Sequence, residues 1–333
     1  MNYRSIEELK DLKVFKFLFE IEKKPCKGLL TAEWVILGYL VLTTLLILFT
    51  YTKLPAPDTL LWGRFKLVVL SAAMWAVYRM APCRFTHFCR ISVLLLSLSW
   101  WYPDTYELNK IFPNLDHYFA SWEQQVFGCQ PALLFSQAVT NPVFSELIYM
   151  GYFSYYPLIG VVPIFYFCFR YQDFSRATFV ILAAFFIYYV VFVFLPVTGP
   201  QYYYAAAGLD NITKGIFPDV GDYFATHDEA LTMAGNSDGF FYKLFAAAHV
   251  KGERPTAAFP SSHVGIGTII MLLAWRARSR ALFLSILPLY VLMCLATIYI
   301  RAHYVIDIIA GWLSAGLLYY ALQTYWTASK KRY

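Results

Sequence analysis

The sequence has few charged residues. Asp, Glu, Lys and Arg make up 14% of the 333 residues, whereas hydrophobic residues make up 59%. A soluble domain carries about 25% charged residues, so this composition excludes a mainly soluble protein. No internal repeat, low-complexity tract or separate soluble domain is evident. The six cysteines are scattered over segments that we place on different sides of a membrane, so no disulfide framework is expected.

Long apolar runs dominate the chain. A membrane-spanning helix needs roughly 20 mostly apolar residues, and runs of this kind predict an all-α fold, a polytopic membrane helix bundle with about eight transmembrane helices. The runs lie near residues 34–52, 65–81, 88–102, 144–169, 177–196, 261–275, 281–300 and 304–327. The third run has the shortest uninterrupted apolar core.

The N-terminal segment, residues 1–33, is polar and basic and shows no signal-peptide pattern. Ser5 and Glu8 fit a capping box, and apolar residues recur after them at helical spacing among lysines. This pattern predicts an amphipathic helix. Such a helix either lies on an anionic membrane face or is a solvated leader.

The basic residues indicate which loops face the cytoplasm. With eight spans and both termini inside, every basic cluster falls on the cytoplasmic side, as the positive-inside rule predicts. The net charge of +6 is therefore explained by membrane topology, and no nucleic-acid partner is expected. The remaining loops face the periplasm or an organelle lumen.

The spans and loops predict five segments along the chain. They are a cytoplasmic amphipathic segment (1–33), accessory transmembrane helices (34–103), an outer segment with interfacial helices (104–143), a catalytic membrane core (144–327) with an outer loop (197–260), and a cytoplasmic tail (328–333). The outer loop is too long and too aromatic for a simple connection. It is either a lid or substrate collar, or a packed structural cap.

Two short polar strings begin two of the predicted helices on the outer side. FPSSH covers Phe259 to His263 and begins the sixth helix, and RAHYVID covers Arg301 to Asp307 and begins the eighth. A helix N-terminus offers unpaired N–H groups and the positive end of a dipole, which favour an anion. Two such ends that face each other would form a phosphate pocket at membrane depth.

Several residues in or near these strings can hold a phosphate. Ser261 or Ser262 can cap the helix or donate from its hydroxyl. Arg301 supplies fixed, charged donors, and Lys251 and Arg254 in the adjoining loop are further phosphate-binding candidates.

The histidines and the carboxylate suit phosphoryl transfer. His303 and Asp307 are four residues apart, so on one helix the carboxylate can accept from Nδ1–H and leave Nε2 free as a nucleophile. His263 can protonate the leaving oxygen and then activate water or an alcohol. These three residues could also form a two-histidine, one-carboxylate metal site. Because the neighbouring cations would repel a divalent ion and bind a phosphate, we expect neither a metal nor another cofactor.

FPSSH followed by RAHYVIDIIAG resembles the second and third signatures of the type 2 phosphatidic acid phosphatase superfamily. The resemblance implies that His303 forms a phosphohistidine intermediate, that Asp307 orients it, and that His263 is the general acid. Ser261 matches a serine that helps to hold phosphate. FLPVTGPQYYY and the segment 116–131 look similar to the branch that contains inositol phosphorylceramide synthases.

The chain departs from the family signatures in three places. The first signature, a lysine and an Arg-Pro, has no clean match, although Arg254 and Pro255 lie just upstream of FPSSH. The Ser-Arg pair that usually precedes the later histidine by six residues is Ala296 and Thr297 here, with the arginine at Arg301. Gln201 follows Gly-Pro where this branch often has a basic residue.

Three functions are consistent with these observations. The favoured one is transfer of a phosphorylated headgroup, for example phosphoinositol, from a phospholipid to a lipid hydroxyl such as that of a ceramide. Hydrolysis by water would instead make the protein a lipid phosphate phosphatase. The third is a non-catalytic lipid-binding or transport protein.

Overall fold

The computed structural model describes residues 13–330, without the side chains of residues 249–252 and 330. The predicted N-terminal helix begins outside the described residues, at Ser5 and Glu8, although residues 13–18 are helical. The tail after residue 330 also lies outside them. Within the described part, helices account for the regular structure and the only β pairing is a single bridge between Ile21 and Cys83. The all-α fold class is confirmed.

We number the helices in chain order. They are α1 (Thr31–Phe49), α2 (Pro57–Met80), α3 (Arg84–Asn109), α4 (Asp116–Phe127), α5 (Pro131–Ala138), α6 (Pro142–Phe153), α7 (Tyr155–Phe169), α8 (Tyr171–Phe194), α9 (Pro200–Ala207), α10 (Leu209–Thr213), α11 (Phe240–Gly252), α12 (Ser262–Arg276), α13 (Arg280–Tyr299) and α14 (Val305–Lys330). The chain divides into two compact units, Met1–Trp101 and Tyr102–Tyr333.

Five described helices are long and apolar enough to cross a membrane. They are α1, α2, α8, α13 and the Val305–Ser329 part of α14. The pair α6 and α7 passes the same test as one span bent by 48°. Helices thus occur at all eight predicted positions, but the count of eight spans is not confirmed. One reason is that α12 has only 15 residues, and the other is that α3 carries charged residues at both ends.

The first unit contains a buried ion pair. Arg90 is 1% exposed and holds Glu33 by two hydrogen bonds, from Nε to Oε1 at 2.7 Å and from Nη2 to Oε2 at 2.5 Å. The same carboxylate accepts from the backbone N–H of Leu30 at 2.7 Å. The pair therefore joins α1 to α3 and also caps the start of α1.

In the second unit, α12 is surrounded by α7, α8, α13 and α14. Its contact with α14 is close because Gly311 of α14 has no side chain. A Cβ atom at this position would lie 2.8 Å from the carbonyl oxygen of Ser261. This packing brings the beginning of α12 against the beginning of α14, where the two polar strings lie.

The long connection between α8 and α12 is packed against other helices of the second unit. It contains α9, α10 and α11, and its backbone is held by polar side chains of other helices. Tyr149 donates to the carbonyl of Ala234, and Glu146 accepts from two N–H groups in the first turn of α11. The two short helices α4 and α5 lie in the segment predicted to contain interfacial helices.

Candidate active site

His303 lies in the turn just before α14 and is 3% exposed. The prediction placed it inside the helix, bonded to Asp307. Its Nδ1 lies instead 2.8 Å from the carbonyl oxygen of Ala258, with Asp307 Oδ2 at 3.6 Å. A carbonyl only accepts, so Nδ1 carries the proton and Nε2 keeps its lone pair. Burial lowers the pKa of His303 to about 4, so the ring is neutral at neutral pH.

His263 faces this lone pair from the first turn of α12. Its Nδ1 lies 3.4 Å from Nε2 of His303, and only a donor at that position complements the lone pair. Two tyrosines hold the ring: Tyr152 stacks on it at a centroid distance of 4.5 Å, and Tyr155 lies at 4.3 Å. The two predicted histidines are therefore brought together.

The first turns of α12 and α14 are joined by main-chain and side-chain hydrogen bonds. Ser261 is the N-cap of α12, and its Oγ accepts from the N–H of Val264 at 3.4 Å. Its own N–H donates to the carbonyl oxygen of Asp307 at 3.0 Å. The Asp307 carboxylate accepts from the N–H of Tyr304 at 2.9 Å. Asp307 thus fixes the turn that carries His303.

A second carboxylate, that of Asp116 on α4, holds the other side of the turn. It is fully buried and accepts from the N–H groups of Thr198 and Gly199 at 2.7 and 2.9 Å, and from the hydroxyl of Tyr304 at 3.0 Å. Burial raises the pKa of Asp116, and the donated hydrogen bonds counteract that rise. Asp116 therefore positions the residue next to His303.

Gly199 approaches the backbone beside His303. Its φ of 88° is in the region that favours glycine, and a Cβ atom would collide with the carbonyl oxygen of Ala302. Gln201, two residues after Gly199, donates its N–H to the carbonyl of Arg301 at 2.8 Å. The Gly-Pro turn is therefore part of the support of the site.

Some of the predicted phosphate-binding residues lie beside His263, and others are directed elsewhere. Ser261 and Ser262 lie at the start of α12, next to His263. Arg254 donates to the carbonyl of Glu253 at 3.2 Å. The guanidinium of Arg301 donates to the Thr232 carbonyl and to Ser136 Oγ, each at 3.3 Å, so it is directed at the outer loop and α5. The side chain of Lys251 lies outside the described residues.

Sequence reasoning missed several residues of the site. Glu253 accepts from Tyr152 Oη and from Gln201 Nε2, both at 3.2 Å, and its negative charge acts on both histidines. Tyr149 and Tyr152 follow each other at helical spacing, a pattern that alone indicates an interfacial belt or packed core. Both are buried, but only the fold could show that Tyr152 packs on His263.

No group of three His, Cys, Asp or Glu side chains among residues 13–330, apart from those without described side chains, is arranged to hold a metal ion. A neutral His303 ring in contact with a second imidazole at a helix N-terminus is suited to binding and transferring a phosphoryl group. Metal-independent chemistry stays a prediction.

A family model for the PAP2 superfamily matches residues 117–321, which is more than half of the chain. The chain belongs to the PAP2 superfamily. This match confirms the superfamily expected from FPSSH and RAHYVID, and it covers both histidines as well as Asp307 and Glu123. Comparison with the curated proteins and with solved structures gave no match.

Members of the PAP2 superfamily are phosphatases or phosphotransferases that act on phosphate esters, including lipid phosphates. Together with the apolar helices, membership indicates an integral membrane enzyme of lipid phosphate chemistry. The inositol phosphorylceramide synthase-like branch is not confirmed by the match.

Proposed function

We propose that the protein transfers a phosphorylated headgroup, for example phosphoinositol, from a phospholipid to a lipid hydroxyl such as that of a ceramide. The observation that carries this proposal is the pair of facing imidazoles, that of His303 buried and that of His263 half-buried, with the free Nε2 of His303 3.4 Å from Nδ1 of His263. An imidazole whose other nitrogen is fixed by a carbonyl is an oriented nucleophile.

The reaction has two steps. In the first, Nε2 of His303 attacks phosphorus, an N–P bond forms, the P–O bond to the diacylglycerol breaks, and protonated His263 gives its proton to the leaving oxygen. In the second, the acceptor hydroxyl attacks phosphorus, His263 takes the hydroxyl proton, and the N–P bond breaks. The acceptor leaves with the headgroup and both histidines return to their starting state.

The phosphate ligands in this proposal are the N-terminal N–H groups of α12, with Ser261, Ser262, Arg254, Lys251 and Arg301 as predicted contributors. Asp307 stabilises the positive charge that develops on the His303 ring. The membrane orientation in the proposal places the histidines on the periplasmic or lumenal side and both termini in the cytoplasm.

Burial of the site favours transfer over hydrolysis. His303 is 3% exposed, so bulk water has little access to a covalent intermediate on its ring. Hydrolysis is the second candidate, because the superfamily also contains phosphatases.

The proposal is tested with the purified full-length protein in lipid–detergent micelles that contain phosphatidylinositol and a ceramide. Transfer yields a new phosphorylated sphingolipid together with diacylglycerol, and a chelator leaves the rate unchanged. Water-soluble inositol phosphate as the sole phosphorylated product would establish hydrolysis. A rate that disappears on chelation and returns with a divalent cation would support a metal site instead.

The variant His303→Ala should lower turnover by at least about 10³-fold, because no other group in the proposal forms the covalent bond. His227→Ala is the matched control, since His227 is exposed. Wild-type protein quenched in turnover should carry an acid-labile, alkali-stable phosphoryl label that His303→Ala lacks. Unchanged turnover in His303→Ala would overturn the phosphohistidine mechanism, whereas a wild-type protein that binds lipid phosphate without turnover would support a binding or transport protein.

A further inference from the structure

Two buried carboxylates hold the backbone at the start of α14. Glu123 of α4 and Asp307 of α14 are both 0% exposed. One oxygen of each accepts from a backbone N–H at the start of α14: Glu123 Oε2 from Ile306 at 3.5 Å and Asp307 Oδ2 from Tyr304 at 2.9 Å. The other oxygens, Glu123 Oε1 and Asp307 Oδ1, are buried without a hydrogen-bond partner in the described structure.

Two ionised carboxylates in this position would be costly. Neither unpartnered oxygen can donate, and two negative charges in a buried site repel each other. A single proton removes both problems, because a protonated carboxyl donates one hydrogen bond to the other carboxylate. Asp307 Oδ2 accepts the shorter backbone bond and lies 3.6 Å from Nδ1 of His303, so a negative charge is better stabilised on Asp307 than on Glu123. Glu123 is therefore the member of the pair to which we assign the proton. Burial, and secondly the charge of Asp307, raises its pKa to about 8.

Among the described residues, the groups that act on Glu123 include no positive charge that would reverse this conclusion. From α14 they are the Asp307 carboxylate and the backbone N–H groups of Val305 and Ile306. The charge of Glu123 also acts on Tyr204 of α9, and Asp116 lies on the same helix, α4.

We propose that Glu123 is a positioning residue that keeps a proton at neutral pH and donates it to Asp307 in a hydrogen bond. This bond holds the Asp307 carboxylate as a single negative charge, with Oδ2 toward Tyr304 and the His303 ring. When His303 attacks phosphorus, its ring becomes positive, and Asp307 stabilises that charge at 3.6 Å. The inference deepens the proposed phosphohistidine mechanism and rests on it.

Infrared difference spectra of the full-length protein test the proton without any need for turnover. The spectrum of wild type minus Glu123→Gln at pH 7 should contain the C=O band of one protonated carboxyl group, which shifts in D₂O. Glu229→Gln removes an exposed carboxylate and should give no such band. A wild-type spectrum without the band would overturn the proposal. If the protein turned over no lipid phosphate, the proposed function would fail while this measurement still decided the state of Glu123.

The pH dependence of turnover tests the positioning role. Glu123→Gln is always neutral and can donate through its amide, so it should keep activity within about threefold at pH 7. Wild-type activity should fall as the pH rises through about 8, and Glu123→Gln should lack that fall. Glu123→Ala cannot donate and should lose at least about tenfold in kcat at pH 7. An equal loss of kcat in both variants would show that the proton on Glu123 has no role in positioning. The same conclusion would follow if the activity of Glu123→Gln still fell as the pH rises through about 8.

Discussion

At the scale of single residues, the orientation of His303 depends on backbone groups more than on its predicted partner. The Ala258 carbonyl fixes the tautomer, and the turn that carries His303 is held by Asp307, by Asp116 and by the close approach of Gly199. Catalytic groups need their geometry held to within about 1 Å. Small changes in these supports should therefore affect activity without touching the imidazoles.

Gly199→Ala is expected to reduce turnover by at least about tenfold, since the new Cβ would collide with the Ala302 carbonyl and move the turn before His303. The positive φ adds strain, so the thermal midpoint should fall as well. Gly160→Ala in α7 is the control, because a Cβ there meets nothing within 4 Å. Equal turnover in the two variants would contradict a supporting role for the Gly-Pro turn.

The polar strings were sufficient to predict that His263 and His303 lie together, because each string places its histidine at the start of a helix and the starts of α12 and α14 are in contact. The predicted hydrogen bond from His303 Nδ1 to Asp307 is replaced by one to the Ala258 carbonyl, because the prediction assumed a helix that already includes His303. The helix begins two residues later, at Val305. Ala258, Asp116 and Glu123 contact the site through the tertiary fold, which no local pattern encodes.

At the scale of elements, the clearest example is the ion pair that joins α1 and α3. The sequence placed Arg90 in a basic cluster that marks the cytoplasmic side. Its guanidinium is instead buried on Glu33, so in this case a charge that suggested topology also holds two helices together. Removal of one partner leaves a buried charge unpaired, which lowers the stability of the folded state far more than removal of both partners.

We therefore expect Glu33→Leu or Arg90→Met alone to destabilise the protein by about 3–5 kcal/mol, and the double variant to recover most of this loss. The measurement is the thermal midpoint in one detergent at one protein concentration. Arg79→Met, at an exposed arginine, should change the midpoint little. Additive losses in the double variant would mean that the two residues do not depend on each other.

At the scale of the whole molecule, the buried titratable groups predict how stability depends on pH. The pKa of Glu123 is raised from 4.5 to about 8, so the folded state keeps a proton that the unfolded state releases in this window. Stability therefore falls as the pH rises from 4.5 to 8. The pKa of His303 is lowered from 6.5 to about 4, which makes stability rise with pH between 4 and 6.5.

The His303 effect ends near pH 6.5, and between pH 6.5 and 8 we expect the Glu123 effect to lower wild-type stability by on the order of 1–2 kcal/mol. Glu123→Gln should not share this decline, whereas Glu229→Gln should. Thermal midpoints at several pH values measure the difference. If wild type and Glu123→Gln keep a constant difference across the window, Glu123 does not titrate there.

Hydropathy predicted the position of every long helix because apolar periodicity is a local property. It could not predict which helices cross the bilayer on their own. Helix α12 is short because the turn that precedes it supplies the Ala258 carbonyl and the Ser261 cap, so the start of α12 is placed by its site contacts. The bend between α6 and α7 brings Tyr152 and Tyr155 together on one imidazole, and no hydropathy window reports such a bend.

Orientation in the membrane can be tested with two native cysteines. Cys129 lies between α4 and α5 in the predicted outer segment, and Cys168 is exposed near the end of α7, which is predicted to face the cytoplasm. Variants that retain only one of the two should react differently with a membrane-impermeant maleimide on intact cells or spheroplasts. Labelling of Cys129 but not Cys168, with both labelled after detergent, would place the histidines on the outer side, because α4 contacts the turn of His303 through Asp116 and Tyr304. The reverse pattern would place phosphoryl transfer on the cytoplasmic leaflet and would contradict the positive-inside assignment.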